Sequence, residues 1–192
     1  MPAPDPAALA FLRNRRSRPA KTLGLPVPTR DALRPLLEAA LRTPDYGKLE
    51  PWRLIVLERG ALQRLGALVA DRGAALGRDT DDIAKARRAF DDAHLAVAVV
   101  ESPVPSDKVP AIEQSYSAGA VCLGLLNAAL AAGWGANWLS GWPAHDRGFV
   151  ETGLGLGSTE RVAGIVHIGT ETVVPPDRPR PDMEARTTWL SE

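Results

Sequence analysis

Residues 117–136 read SAGAVCLGLLNAALAAGWGA, twenty residues without a single charge. That length is close to the ~20 residues that cross a bilayer, so the reading of this stretch decides between a membrane protein and a globular one. Ala and Gly dominate it, Asn127 sits near its middle, no Lys or Arg flanks it, and the helix breakers Gly133 and Gly135 end it. A buried helix of a soluble fold is the favoured reading. With the residues before it, the helix extends from about Val109 to Ala132. It is apolar on nearly every side, more than one small sheet can cover, so a homodimer interface is expected.

Strands appear on both sides of this helix. His94–Val100 (HLAVAVV) is a near-continuous apolar run, the mark of a strand covered on both faces. Trp52–Leu57 (WRLIVL), Gly135–Leu139 and Val162–Gly169 (VAGIVHIG) read as further short strands. Helical periodicity occupies the intervals at Pro6–Arg16, from Thr29 or Asp31 to about Arg42, Arg59–Leu76, Thr80–Phe90 and a small helix near Ala144–Gly153. A start at Asp31 places Pro35 in about the first turn, where a missing N–H costs least. Residues 17–28, with Pro19, Pro26 and Pro28, read as an extended connector. Pro175, Pro176, Pro179 and Pro181 mark an irregular C-terminal arm over about 171–192. No repeat or low-complexity linker divides the chain, so one α+β domain over residues 1–192 is expected, with a small central mixed sheet flanked by helices.

Of the 192 residues, 23 are Lys or Arg and 23 are Asp or Glu, which gives a formal net charge of zero. That balance argues against a polyanion binder, so no nucleic-acid partner is expected. With 45% hydrophobic residues the chain also has enough apolar surface for a core. Cys122 is the only cysteine and the N-terminus shows no apolar stretch after a basic start, so a cytoplasmic location is expected.

Several motifs invite a chemical reading. Gly153-Leu-Gly-Leu-Gly157-Ser158 matches neither a dinucleotide fingerprint nor a P-loop and reads as a helix stop. His94, His145 and His167 are isolated from one another and have no metal-ligand spacing. Ser140 lacks the nucleophile elbow of a serine hydrolase, and Cys122 reads as a small core residue. The cluster Arg13, Arg15, Arg16, Ser17, Arg18 offers charge-assisted donors for one phosphate group; a solvated helix end or a surface patch is the alternative. Trp134, Trp138 and Trp142 lie within nine residues. They serve either core packing or the wall of a pocket for a flat ring.

Taken in order, the motifs resemble the FMN-dependent nitroreductase family, in particular its small single-domain subgroup. They are Asn14-Arg15-Arg16-Ser17, Thr43-Pro44-Asp45 leading to Glu50-Pro51-Trp52, Lys108-Val109-Pro110 with Glu113-Gln114 and Ser117-Ala118-Gly119, the turn Gly133–Gly141, and Ile168-Gly169-Thr170 followed by an arm from Pro179 to Trp189. The resemblance covers nearly the whole chain. It implies an intertwined homodimer with FMN sites at the subunit interface. Arg15, Arg16 and Ser17 would hold FMN from one subunit, Tyr46 and Glu50 would reach it from the other, and Trp138, Leu139 and Ser140 would line its ring system. Arg180 would add a phosphate contact.

The resemblance further implies ping-pong redox chemistry: NADH or NADPH passes hydride to flavin N5, and an electron-poor acceptor such as a nitroaromatic or quinone then receives it. No side chain acts as a nucleophile, and the flavin carries the chemistry. Two residues depart from the family pattern. Glu50 stands where an amide is usual, and an ionised carboxylate accepts but does not donate; it is expected to be either neutral through burial or turned toward Lys48 or an Arg. Tyr46 replaces a smaller side chain or an imidazole. A dimeric flavin-binding module or sensor without turnover is the alternative function.

Overall fold

Every residue of strand β3 (Leu95–Glu101) is buried, as the apolar run through Val100 requires, and the burial extends to Glu101. The computed structural model describes residues 3–192, so the residue range expected for the domain begins with two positions, Met1 and Pro2, that lie outside the described residues. On one edge β3 pairs with β2 (Trp52–Glu58), from Trp52 opposite Glu101 to Glu58 opposite Leu95. On its other edge lies β5 (Arg161–Glu171), with a register shift between Val99 and Val100. Two further strands pair with β5: β4 (Gly135–Leu139) and the two-residue β1 (Leu23–Gly24).

All of these pairings are antiparallel, which corrects the expected mixed sheet. Two helices, α3 (Arg59–Ala75) and α4 (Thr80–Asp91), separate β2 from β3, and a path that runs out and back returns in the opposite direction. A single helix, α5 (Ala111–Ala131), separates β3 from β4. Those two strands do run in the same direction, but β5 intervenes and is antiparallel to both.

The two-residue period of β3 sorts its side chains into two layers. Leu95, Val97 and Val99 pack under α5, against Val121 and Leu125, and under α2 (Arg30–Ala40), against Leu33 and Leu36. Ala96, Ala98 and Val100 face α3 and α4 through Leu62, Leu65, Val69 and Phe90. Phe149 of α7 (Arg147–Leu154) completes this second layer, its ring centroid 5.5 Å from that of Phe90. Each such fully buried large side chain contributes about 1.5–3 kcal/mol.

Three local differences from the sequence reading have clear causes. Thr29 caps α2, accepting from the Ala32 amide at 3.3 Å, so the helix starts at Arg30, between the two expected starts, and Pro35 falls in its second turn. Pro35 is exposed, where water can solvate the carbonyl that it leaves unpaired. The single helix expected near 144–153 is divided into α6 (Trp142–His145) and α7. Asp146 divides them: its carboxylate caps α7 through the Phe149 amide at 2.9 Å and takes two hydrogen bonds from Arg72, at 2.7 and 3.0 Å. Residues 17–28 are not wholly extended, since they contain a 3-10 turn at Ala20–Thr22 as well as β1. The Gly-rich stretch ends α7 as expected, with Gly155 left-handed at φ 67°. Among the described residues no helix is long and apolar enough to cross a membrane.

Candidate functional site

Helix α1 (Pro6–Asn14) is capped by Asp5, and Arg15 closes its last turn through a bond to the Phe11 carbonyl at 2.7 Å. The chain then runs along the start of β4. The Arg18 amide donates to the Ala136 carbonyl at 2.8 Å, and Asn137 Nδ2 donates to the Arg18 carbonyl at 2.6 Å. Arg15, Arg16 and Arg18 thereby line a pocket of about 420 Å³ with Leu130, Trp134 and Glu171.

Their charges are not equivalent. Arg18 Nε pairs with Glu171 at 3.1 Å, whereas the Nη1 atoms of Arg15 and Arg16 are buried without a partner. A buried guanidinium nitrogen that lacks an acceptor is costly, and a phosphate would supply one. The buried nitrogens set this cluster apart from a solvated patch, and Glu171 Oε1 in the same pocket is buried without a partner as well. Arg180 Nη2 reaches the Arg15 carbonyl at 3.5 Å, which brings the C-terminal arm to the same place.

Tyr46 and Glu50 stand elsewhere. Their loop is tied to α5, since Trp52 Nε1 donates to Ser117 Oγ at 3.0 Å and Ser117 Oγ donates to the Pro44 carbonyl at 2.8 Å. Ser117 and Leu130 are thirteen residues apart in one helix, about 20 Å at 1.5 Å per residue. One chain therefore does not bring Tyr46 and Glu50 to Arg15 and Arg16. The loop does face outward: Tyr46 is 60% exposed, and Lys48 and Glu50 hold positive φ angles of 54° and 48°. Such angles are strained for residues with a Cβ and concentrate at functional sites. The Glu50 amide is held by Asp45 Oδ2 at 2.7 Å, and its side chain is exposed. That exposure removes the burial expected as one of two alternatives.

The residues expected to line the flavin ring are separated by the pleat of β4. Trp138 opposes Val166 and Leu139 opposes Ile165, so their side chains leave on opposite faces. Trp138 leans over Gly164, where a Cβ would meet the indole, and remains 38% exposed. Leu139 and Ser140 instead line a cleft of about 350 Å³ between β5, α4 and α6. A planar ligand in that cleft would meet Leu139 and Ser140 without meeting the Trp138 ring. Of the three clustered tryptophans, Trp134 borders the arginine pocket and Trp142 borders this cleft.

His167, weighed in the sequence only for metal ligation, has a placement that spacing alone does not suggest. It lies on the face of β5 shared with Ile165 and in the same cleft, at a position opposite Asn137. A lone imidazole within an otherwise apolar strand was the available signal.

Comparison with known proteins gives a consistent picture. The model of the nitroreductase family matches residues 12–170. A candidate NAD(P)H nitroreductase of Escherichia coli K12, YdjA, is 35% identical over 163 residues, covering 85% of this chain and 87% of its own. A candidate NAD(P)H nitroreductase of Haemophilus influenzae is 35% identical over 164 residues, covering 85% and 88%. Among solved structures, a nitroreductase-like family protein from Bacillus cereus superposes over the full length of both chains with a TM-score of 0.79 at 22% identity. A candidate nitroreductase from Desulfovibrio desulfuricans, solved in complex with FMN, has a TM-score of 0.73 at 19% identity and covers 98% of each chain.

Proposed function

The chain belongs to the nitroreductase family, and from that premise we propose that it is an FMN-dependent oxidoreductase using NADH or NADPH, built as a homodimer in which each chain forms one domain. Bound FMN would supply the redox chemistry, carrying hydride equivalents from the nicotinamide to an electron-poor acceptor such as a nitroaromatic or quinone. The observation that carries this reading is the pair of buried, unpartnered guanidinium nitrogens on Arg15 and Arg16.

Arg15, Arg16 and Ser17 bind the phosphate end, with Arg180 from the arm beside them. Leu139 and Ser140 present the end of β4 to the ring system. Tyr46 and Glu50 serve a site formed with the second subunit, consistent with their outward-facing loop and with its distance of about 20 Å along α5 from the arginines. The exposed apolar side chains of α5, Tyr116 and Leu123, and of the arm, Trp189 and Leu190, supply surface for such an interface.

The visible spectrum of the purified protein, followed by anaerobic titration with NADPH and NADH, tests the proposal. A yellow protein bleached by either nicotinamide is expected. A colourless protein that takes up no added FMN would overturn the proposal, and a yellow one that neither nicotinamide bleaches would favour a sensor. Arg15→Ala is expected to weaken FMN retention by at least about tenfold, the loss of one charge-assisted contact.

A further inference from the structure

We propose that Glu171 sets how strongly this protein prefers a phosphorylated flavin: its carboxylate offsets the charge of Arg18, so that Arg15 and Arg16 alone act on a single phosphate group. The assignment rests on the phosphate reading of the arginine pocket given above and names the residue that limits it.

Glu171 is the last residue of β5 and lies one position beyond the stretch 12–170 that matches the family model. Among the described residues that line the arginine pocket it is the only acid. Its Oε2 lies 3.1 Å from Arg18 Nε. Its Oε1 and the Nη1 atoms of Arg15 and Arg16 are all buried without a hydrogen-bond partner. The carboxylate therefore serves Arg18 and bonds neither of those two nitrogens.

Backbone pairing brings the two members of this ion pair together. Glu171 lies opposite Leu23 of β1, and the next residue, Thr172, donates from its amide and its hydroxyl to the Thr22 carbonyl, both at 2.9 Å. Arg18 is tied to β4 through the Ala136 carbonyl and the Asn137 side chain. Both segments are thus anchored on the same sheet. The two side chains are 26% and 23% exposed, so water screens their charges only in part.

Charge then decides what the pocket holds. Three arginines and one glutamate give its lining a net charge of +2. A phosphate monoester carries about −1.5 to −2 at neutral pH, which matches one such group. Arg180, which reaches the Arg15 carbonyl, has Asp177 3.7 Å away and adds little net charge. Removing the Glu171 carboxylate adds one positive charge to the lining, and removing Arg18 subtracts one. If the pair were only a structural tie, either change would loosen the pocket and weaken binding.

The test is fluorescence titration of the full-length protein, freed of bound flavin by dialysis, with FMN and with riboflavin, which lacks the phosphate. The ratio of the riboflavin Kd to the FMN Kd isolates the phosphate end, because ring contacts and stability act on both ligands. Glu171→Gln is expected to raise this ratio by about tenfold and Arg18→Gln to lower it by about as much, the size of one partly screened charge. The double variant should return to within about threefold of the wild type. The gain in Glu171→Gln should also shrink at high salt. If Arg18→Gln does not fold, Glu171→Gln at low and high salt carries the comparison. A ratio that is unchanged or lowered in Glu171→Gln would overturn the proposal. Equal affinity of the wild type for both flavins would instead overturn the phosphate reading of the pocket and this proposal with it, and binding of neither flavin would overturn the redox reading as a whole.

Discussion

Trp52 and Ser117, 65 positions apart in the chain, meet through a hydrogen bond of 3.0 Å from the indole Nε1 to the hydroxyl, and that hydroxyl passes a second bond of 2.8 Å to the Pro44 carbonyl. One side-chain oxygen thus joins the first residue of β2, the interior of α5 and the loop that carries Tyr46 and Glu50. Ser117→Ala would leave a buried indole N–H and a carbonyl without partners. We expect a loss of about 1–3 kcal/mol in urea denaturation. A change within the scatter of surface substitutions would mean that water replaces the hydroxyl and that the loop is held by other means.

The contact of Trp138 with Gly164 makes a sharper prediction. A Cβ at position 164 would collide with the indole, so Gly164→Ala should displace Trp138 and cost about 1–3 kcal/mol, the range for an overpacked site. The double change Gly164→Ala with Trp138→Leu should cost less than the sum of the two single changes, because the smaller side chain relieves the clash. Strict additivity in denaturation midpoints would show that Trp138 does not rest on this glycine.

Acid stability should fall in two stages. Burial holds folded His167 at about 4, below the ordinary 6.5. The unfolded imidazole therefore protonates first, and stability declines as pH drops from about 6.5 to about 4. Glu160 has the opposite kind of shift. Hydrogen bonds from Arg53, both at 2.7 Å, hold its carboxyl at about 2 against an ordinary 4.5. Its contribution is complete above 4.5 and is lost as pH falls toward 2. His167→Gln should flatten the upper stage and Glu160→Gln the lower one in denaturation followed across pH. An upper slope that survives His167→Gln would assign it to another group.

Much of this architecture is legible in the sequence because it follows from local rules. The Gly133 and Gly135 pair places β4 at Gly135–Leu139 as expected, and the apolar run places β3 to within a residue. What escaped depends on partners distant in the chain. Leu23–Gly24 is a strand only because Glu171 and Thr170 of β5 lie beside it. The break at Asp146 depends on Arg72, 74 positions earlier. The candidate site shows the same division: the Arg15-Arg16-Ser17 cluster suggests anion-suited chemistry from its residue types alone, whereas which of Trp138 and Leu139 meets the cleft depends on the pairing of β4 with β5. The alternation of faces is written in the sequence GANWL, but which face meets the cleft is not.

The separation of the arginine pocket from the Tyr46–Glu50 loop by about 20 Å along α5 makes the two-subunit site testable by complementation. In the proposed two-subunit site Arg15→Ala and Tyr46→Ala would damage different halves, so each variant alone should retain little FMN. When both chains are expressed together, random pairing should leave roughly a quarter of the sites with an intact Arg15 from one chain and an intact Tyr46 from the other. Flavin content should then rise above that of either variant alone, and purification through separate tags on the two chains, which keeps only the mixed dimers, should raise the intact share to about half, read by absorbance. If each flavin were held within one chain, mixing would create no intact site, because every chain carries one defect. Flavin content in the mixture no higher than in the two separate preparations would therefore place Tyr46 outside the partner's site.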